Sequence, residues 1–147
     1  MNESATTTRG KPTLIPIPVD GCVLWGRDSI FLDKTGMPDE TTLFLAGSFN
    51  TRRDRHCFVE FEITFTGIHY LRIMEEDFYF PEPLSEADCE GESTTFGWIE
   101  HSRLVDEFRE LDSASKMDDK HRQFVFYTYD TVYELVAYDY ELVLGKE

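Results

Sequence analysis

Paired cysteine is the first thing missing. Cys22, Cys57 and Cys89 are odd in number and more than thirty residues apart, which fits neither a disulfide framework nor a Cys-x-x-Cys redox or zinc pattern. A reducing cytoplasm is the expected setting, with Cys22 and Cys57 acting as small hydrophobes inside apolar strand patterns. Long apolar runs are also missing: nothing approaches the roughly 18 consecutive apolar residues of a membrane span. Residues 1–11 hold no apolar run at all, so they read as a polar mobile tail and not as a signal peptide. Basic residues are scarce. Against 29 Asp and Glu stand 14 Lys and Arg, for a net charge of -15, a sum that repels phosphate backbones and anionic lipid. No nucleic-acid or membrane partner is expected.

Motifs that carry chemistry are absent too. Gly47, Gly67, Gly91 and Gly97 are isolated, so no Gly-rich phosphate cradle exists and no cofactor is expected. His56, His69, His101 and His121 form no His-x-His or His-Glu-x-x-His set, and the acids do not follow the calcium-loop spacing, so no metal site is expected. A nucleophilic thiol needs a histidine beside it in space. His56 precedes Cys57 directly, but adjacent strand residues point to opposite faces. No Gly-x-Ser-x-Gly elbow is present, and no residue reads as catalytic. An enzyme is not the favoured reading.

What remains is an aromatic-rich chain of 147 residues with 41% hydrophobic content, enough for one domain over residues 12–147 that buries roughly 70% of its extended-chain surface. The clearest element is a strand. Cys57, Val59, Phe61, Ile63 and Phe65 alternate with Phe58, Glu60, Glu62 and Thr64, which puts an apolar row on one side and a polar row on the other. Thr66-Gly67 supplies a turn into a second strand over residues 68–74, so the two read as a meander. Residues 21–33 read as two short apolar runs about Gly26, Arg27 and Asp28, in a tight hairpin or a bulged strand, residues 34–41 as a turn-rich connection, residues 42–49 as a strand, and residues 94–100 as another. Ser102 is placed to cap a helix over residues 103–111, where Leu104, Val105, Phe108 and Leu111 recur at helical spacing. Residues 112–120 read as polar and flexible. Residues 124–127 and 132–144 read as a terminal hairpin joined near Tyr129 and Asp130. Many strands and one helix predict an α+β fold: a twisted antiparallel sheet, able to curl or partly close, with the helix packed on its apolar face.

The run over residues 96–144, with Ser102 opening a helix and then His121, Tyr127-Thr128-Tyr129-Asp130, Glu134 and Ala137, resembles the C-terminal part of small bacterial proteins classed as a domain of unknown function. The resemblance spans about a third of the chain. It implies an α+β fold and a bacterial cytoplasmic origin, and it carries over no activity and no site residue.

Function is then read from charge. Residues 75–92 hold eight acids and no base, with Phe78, Tyr79 and Phe80 among them. The leading expectation is a non-enzymatic cytoplasmic protein that binds a basic protein partner through an acidic surface of Glu75, Glu76, Asp77, Phe78, Tyr79, Glu82, Glu86 and Asp88. An inhibitor or immunity-type role against a basic toxin is one form of it. The alternative is a small-molecule binding protein or enzyme whose site, in the mouth of a curled sheet, gathers His69, Arg72, His101 and Asp130. A third reading assigns the charge to solubility alone. The oligomeric state is not readable from the sequence.

Overall fold

Alternation along the 58–66 strand is obeyed residue by residue: Val59, Phe61, Ile63 and Phe65 are buried while Glu60, Glu62 and Thr66 face solvent. The computed structural model describes residues 12–25, 29–50, 58–75, 88–89, 94–114 and 116–145, so the 1–11 segment lies outside it. Among these residues are β1 (Thr13–Pro16), β2 (Ile30–Asp39), β3 (Thr42–Asn50), β4 (Phe58–Thr66), β5 (Tyr70–Glu75), β6 (Asp88–Cys89), β7 (Phe96–Glu100), α1 (Arg103–Leu111), β8 (Arg122–Tyr127), β9 (Thr131–Ala137) and β10 (Asp139–Leu144). They form two sheets, β5-β9-β8-β7-β1-β6 and β10-β4-β3-β2. Pairing is antiparallel except between β1 and β6. No helix of the described residues is long and apolar enough to cross a membrane.

The α+β expectation is therefore wrong. The structure is mostly β, with one short helix among the described residues, and what covers the apolar face of each sheet is the other sheet. Phe49, Phe61 and Phe65 of the four-stranded sheet meet Phe96, Phe124 and Phe126 of the six-stranded sheet in one core. Phe65 is its junction, with ring centroids at 5.5 Å from Phe124, 6.0 Å from Tyr140 and 6.5 Å from Phe96. Such offset and edge-on contacts add to the burial of each ring. Helix α1 starts where expected, with Ser102 Oγ accepting the Val105 N–H at 3.1 Å. It lies instead on the outer face of the six-stranded sheet. There Val105 is buried, Phe108 meets Tyr70 edge-on at 5.8 Å, and Leu111 stays 79% exposed. Beside it Leu14, Ile99, Val125 and Val132 form a second, smaller cluster.

Several expected connections also change. Residues 34–41 are not a turn-rich link: β2 runs through them, absorbing irregularities between Leu32 and Lys34 and between Gly36 and Asp39. An edge strand tolerates Pro38 because its outward backbone needs no ladder partner. A Cβ at Gly47 would collide with the Phe31 carbonyl, so β2 and β3 close up only around a glycine. The reversal uses Asp39, whose carboxylate accepts the Thr41 N–H at 2.9 Å, and this bond lowers its pKa. β4 and β5 do not form a meander. Gly67, at φ +64°, turns the chain out of one sheet, and β5 pairs with β9 in the other. The closing hairpin exists as β8 and β9, but the second run breaks at Tyr138 and continues as β10 beside β4. Of the two apolar runs expected about Gly26, the second opens β2 at Ile30, the first has only the Val19–Cys22 bridge, and the junction at residues 26–28 lies outside the described set. Within the segment that follows α1, the Asp112 carboxylate accepts the Lys116 and Met117 N–H groups at 2.8 and 2.7 Å.

Replacing Phe65 with alanine is expected to lower the unfolding free energy by about 3–5 kcal/mol, the usual cost of emptying a ring-sized core site. The same change at exposed Leu111 should move it by less than about 0.5 kcal/mol. Urea denaturation of both variants checks the pair, and equal losses would contradict this placement of the core.

Candidate functional site

Two regions combine polar side chains with shape. The first is the outer face of the four-stranded sheet, built by the same alternation that buries its other side. Strand register sets Lys34, Ala46, Glu62 and Val143 in one row across β2, β3, β4 and β10. Neighbouring rows bring Ser48 beside Glu60, and Phe44 and Glu141 on either side of Thr64. Small residues on β3 leave a trough of about 320 Å³ lined by Asp33, Ala46, Glu60, Glu62 and Val143. Asp33 reaches it because it is the residue squeezed out of register between Leu32 and Lys34. Lys34 is a base on this face, but two strand spacings, about 10 Å, separate it from Glu62. Asp139, at the corner, is neutralised by Lys120 at 3.6 Å. Glu60, Glu62 and Glu141 are exposed, and Val143 beside them is 53% exposed.

Of the acidic surface expected on residues 75–92, Glu75 is exposed at the end of β5 and Asp88 pairs through its backbone with Thr13 of β1. Glu76, Asp77, Phe78, Tyr79, Glu82 and Glu86 lie outside the described residues.

The second region is the outer face of the six-stranded sheet with α1 upon it. Ser102 Oγ donates to Gln123 Oε1 at 2.6 Å, and Gln123 Nε2 donates to Glu134 Oε2 at 2.9 Å. Arg72 Nε sits 3.7 Å from Glu134 Oε1, and Arg72 Nη2 donates to Met74 Sδ at 3.2 Å. Glu134 is 1% exposed. A buried carboxylate needs this arrangement, since an isolated buried charge would cost several kcal/mol. The chain of bonds ties β5, β9 and β8 to the helix cap, which is a structural task.

At the end of this face, the imidazoles of His69 and His121 stack with centroids 4.5 Å apart at 18°. His69 Nε2 donates to the Lys116 carbonyl at 3.0 Å, while His121 Nδ1 accepts the Asp118 N–H at 2.8 Å. His121 Nδ1 must therefore be unprotonated when the bond is made. Burial holds its pKa below the ordinary 6.5, and the neighbouring His69 adds to the shift. The Asp118 carboxylate and the Gly67 carbonyl pull the other way without cancelling it.

The four residues expected to converge do not. His69 and Arg72 are both on or beside β5, but Arg72 is spent on Glu134. His101 lies past β7, exposed, at φ +61°, in a polar hollow shared with Arg109, Asp119 and Arg122. Asp130 sits in the β8–β9 turn, at the opposite end of the sheet from His101. Cys22 is half-buried, and among the described residues no group of three or more His, Cys, Asp or Glu side chains could hold a metal ion. Ser102, Gln123, Glu134 and Arg72, which do form one network, were missed as a set because their proximity comes from register among β5, β9 and β8. Glu141 and Val143 were missed for the same reason, although their period-two spacing was visible in the sequence.

No protein-family model, characterised protein or solved structure matches the chain.

Because the folded state disfavours protonated His121, its contribution to stability is present above about pH 6.5 and is lost as pH falls through the lowered value. The stability advantage of the natural chain over His121→Phe should therefore shrink between about pH 7.5 and about pH 5. Urea titrations across that range check this. A difference that stays constant with pH would sink it.

Proposed function

We propose that the chain is a non-enzymatic, cytoplasmic binding protein whose acidic surface takes a basic protein partner, in the manner of an inhibitor or immunity-type protein. One observation carries the reading: Glu60, Glu62 and Glu141, with Asp33 in the trough beside them, share one sheet face with exposed Val143. Among the described residues none of these four acids is ion-paired on that face. Acids spread for solubility alone need no common face and no apolar neighbour. Acids grouped around an apolar patch raise the encounter rate of a basic partner, and the patch supplies area to bury once contact is made. Charge steering of this kind weakens steeply with salt, because exposed charges are screened beyond about 8 Å at physiological ionic strength.

The surface so assigned is the β4–β10 face. A small-molecule reading has no comparable support, since His69, Arg72, His101 and Asp130 do not share a cavity.

The test is a heteronuclear NMR titration with a short peptide of alternating lysine and valine. Chemical-shift changes should concentrate on Ala46, Glu60, Glu62, Glu141 and Val143. The double variant Glu60→Lys/Glu62→Lys should weaken binding by about tenfold or more, roughly 1.4 kcal/mol. Shifts spread evenly over all exposed acids, or affinity untouched by the double variant, would leave only solubility as the role of the charge.

A further inference from the structure

The four-stranded sheet ends in two very different edges. β2 is guarded: it is broken twice in register and carries Lys34, Gly36 and Pro38, devices that keep a second chain from adding to an edge. β10 has none of them. Its six residues hold unbroken register with β4, from Asp139 opposite Thr66 to Leu144 opposite Phe61, with no proline, glycine, lysine or arginine.

Which backbone groups β10 leaves open follows from one hydrogen bond. The Gly145 N–H donates to the Glu60 carbonyl at 2.7 Å, and inward and outward groups alternate along an antiparallel ladder. Residues 139, 141, 143 and 145 therefore turn their N–H and C=O toward β4, and residues 140, 142 and 144 turn theirs away. The outward Tyr140 N–H is already taken by the Asp139 carboxylate at 2.8 Å. Among the described residues no strand pairs with this edge, and Leu142 and Leu144 remain, each offering a donor and an acceptor there.

The side chains say what kind of strand belongs there. On the outer face, Glu141 and Val143 lie at the edge with Glu62 opposite Val143. On the inner face, Tyr140 and Leu142 are only partly buried and Leu144 is 37% exposed. An added strand would thus present bases on one side, laid across Val143 toward Glu141 and Glu62, and apolar residues on the other, extending the core past Leu142 and Leu144. We propose that β10 is a docking edge that takes an extended, alternately basic and apolar segment of a partner protein as a fifth strand of this sheet. The inference rests on the acidic-face reading and names the mode of binding. A second copy of the chain fits worse, since two β10 strands would bring two copies of Glu141 to one junction between molecules of net charge -15.

Three short peptides separate the outcomes: the lysine–valine peptide, the same peptide with alternate backbone nitrogens methylated, and a helical peptide of equal charge. With the first, amide exchange at Leu142 and Leu144 should slow by about tenfold or more, while the methylated and helical peptides leave it unchanged. Leu144→Pro removes one edge donor and should weaken the first peptide by about tenfold, with unchanged exchange at Phe61 and Ile63 showing that β4 is intact. Val143→Lys, which places a base on the edge without touching the backbone, should weaken it as well. If all three peptides shift Glu60 and Glu62 equally and Leu142 and Leu144 exchange at their original rates, strand addition is overturned while the acidic-face reading stands. If none shifts Glu60, Glu62 or Glu141, both fail. Protection of Leu142 and Leu144 that grows with protein concentration alone would make a second copy the occupant and overturn the proposal.

Discussion

Ring packing between the two sheets is the constraint on which the other features rest. Phe65 touches rings from three strands of the opposite layer and of its own, and Phe49 stacks on Phe61 at 4.0 Å. Once these rings occupy the space between the layers, the six-stranded sheet still has an outer face that carries Leu14, Ile99, Val125 and Val132. Helix α1 lies on that face, and its cap is bonded into the sheet through Ser102 and Gln123. The four-stranded sheet, by contrast, mixes acids, small residues and the rings of Phe31, Phe44 and Phe58 on its outer face, and no other layer of the described residues covers it. The two outer faces differ in kind for that reason: one carries a helix and the other faces solvent.

Charge follows the same division. The network around Glu134 uses a carboxylate as an internal strut, with Oε2 hydrogen-bonded by Gln123 and Oε1 facing Arg72. Glu60, Glu62 and Glu141 stand in water with their charges unspent. A single count of acids merges these two uses, although a buried carboxylate holds strands in place and exposed ones act at a distance.

Local pattern was legible in the sequence, and assignment to a layer was not. β4 could be read because its faces differ so sharply, and α1 because Ser102 sits at the start of an apolar periodicity. β8 could be paired with the run that follows it but its inner face could not be assigned, since Gln123, Phe124, Val125 and Phe126 are all buried and a strand buried on both faces shows no alternation. Pro16 hid β1, where β6 pairs only with Thr13 and Leu14 and Pro16 lies beside β7 alone, and Gly36 with Pro38 hid the second half of β2, whose edge position cancels the usual meaning of those residues. Nothing in the run from Thr131 to Leu144 marks the change of sheet at Tyr138. Missing that corner turned a two-layer β fold into a single sheet with a helix on it. It also concealed the site, since Glu141 and Val143 join Glu60 and Glu62 only when β10 lies against β4. The histidine stack was hidden in the same way, because His69 and His121 meet through the loop that follows α1.

The corner at Tyr138 bears on the order of assembly. β9 and β10 are consecutive in the chain, yet Tyr70 waits for Val136 and Phe65 waits for Tyr140, partners more than sixty residues later. During synthesis, β5 emerges without the neighbour it will have, and β4 with one edge uncovered. Neither layer closes until the same short C-terminal run arrives and is shared between them. Contacts this distant along the chain place folding on the order of milliseconds to seconds. They also leave the phenylalanine-rich strands of an emerging chain dependent on a net negative charge to stay apart.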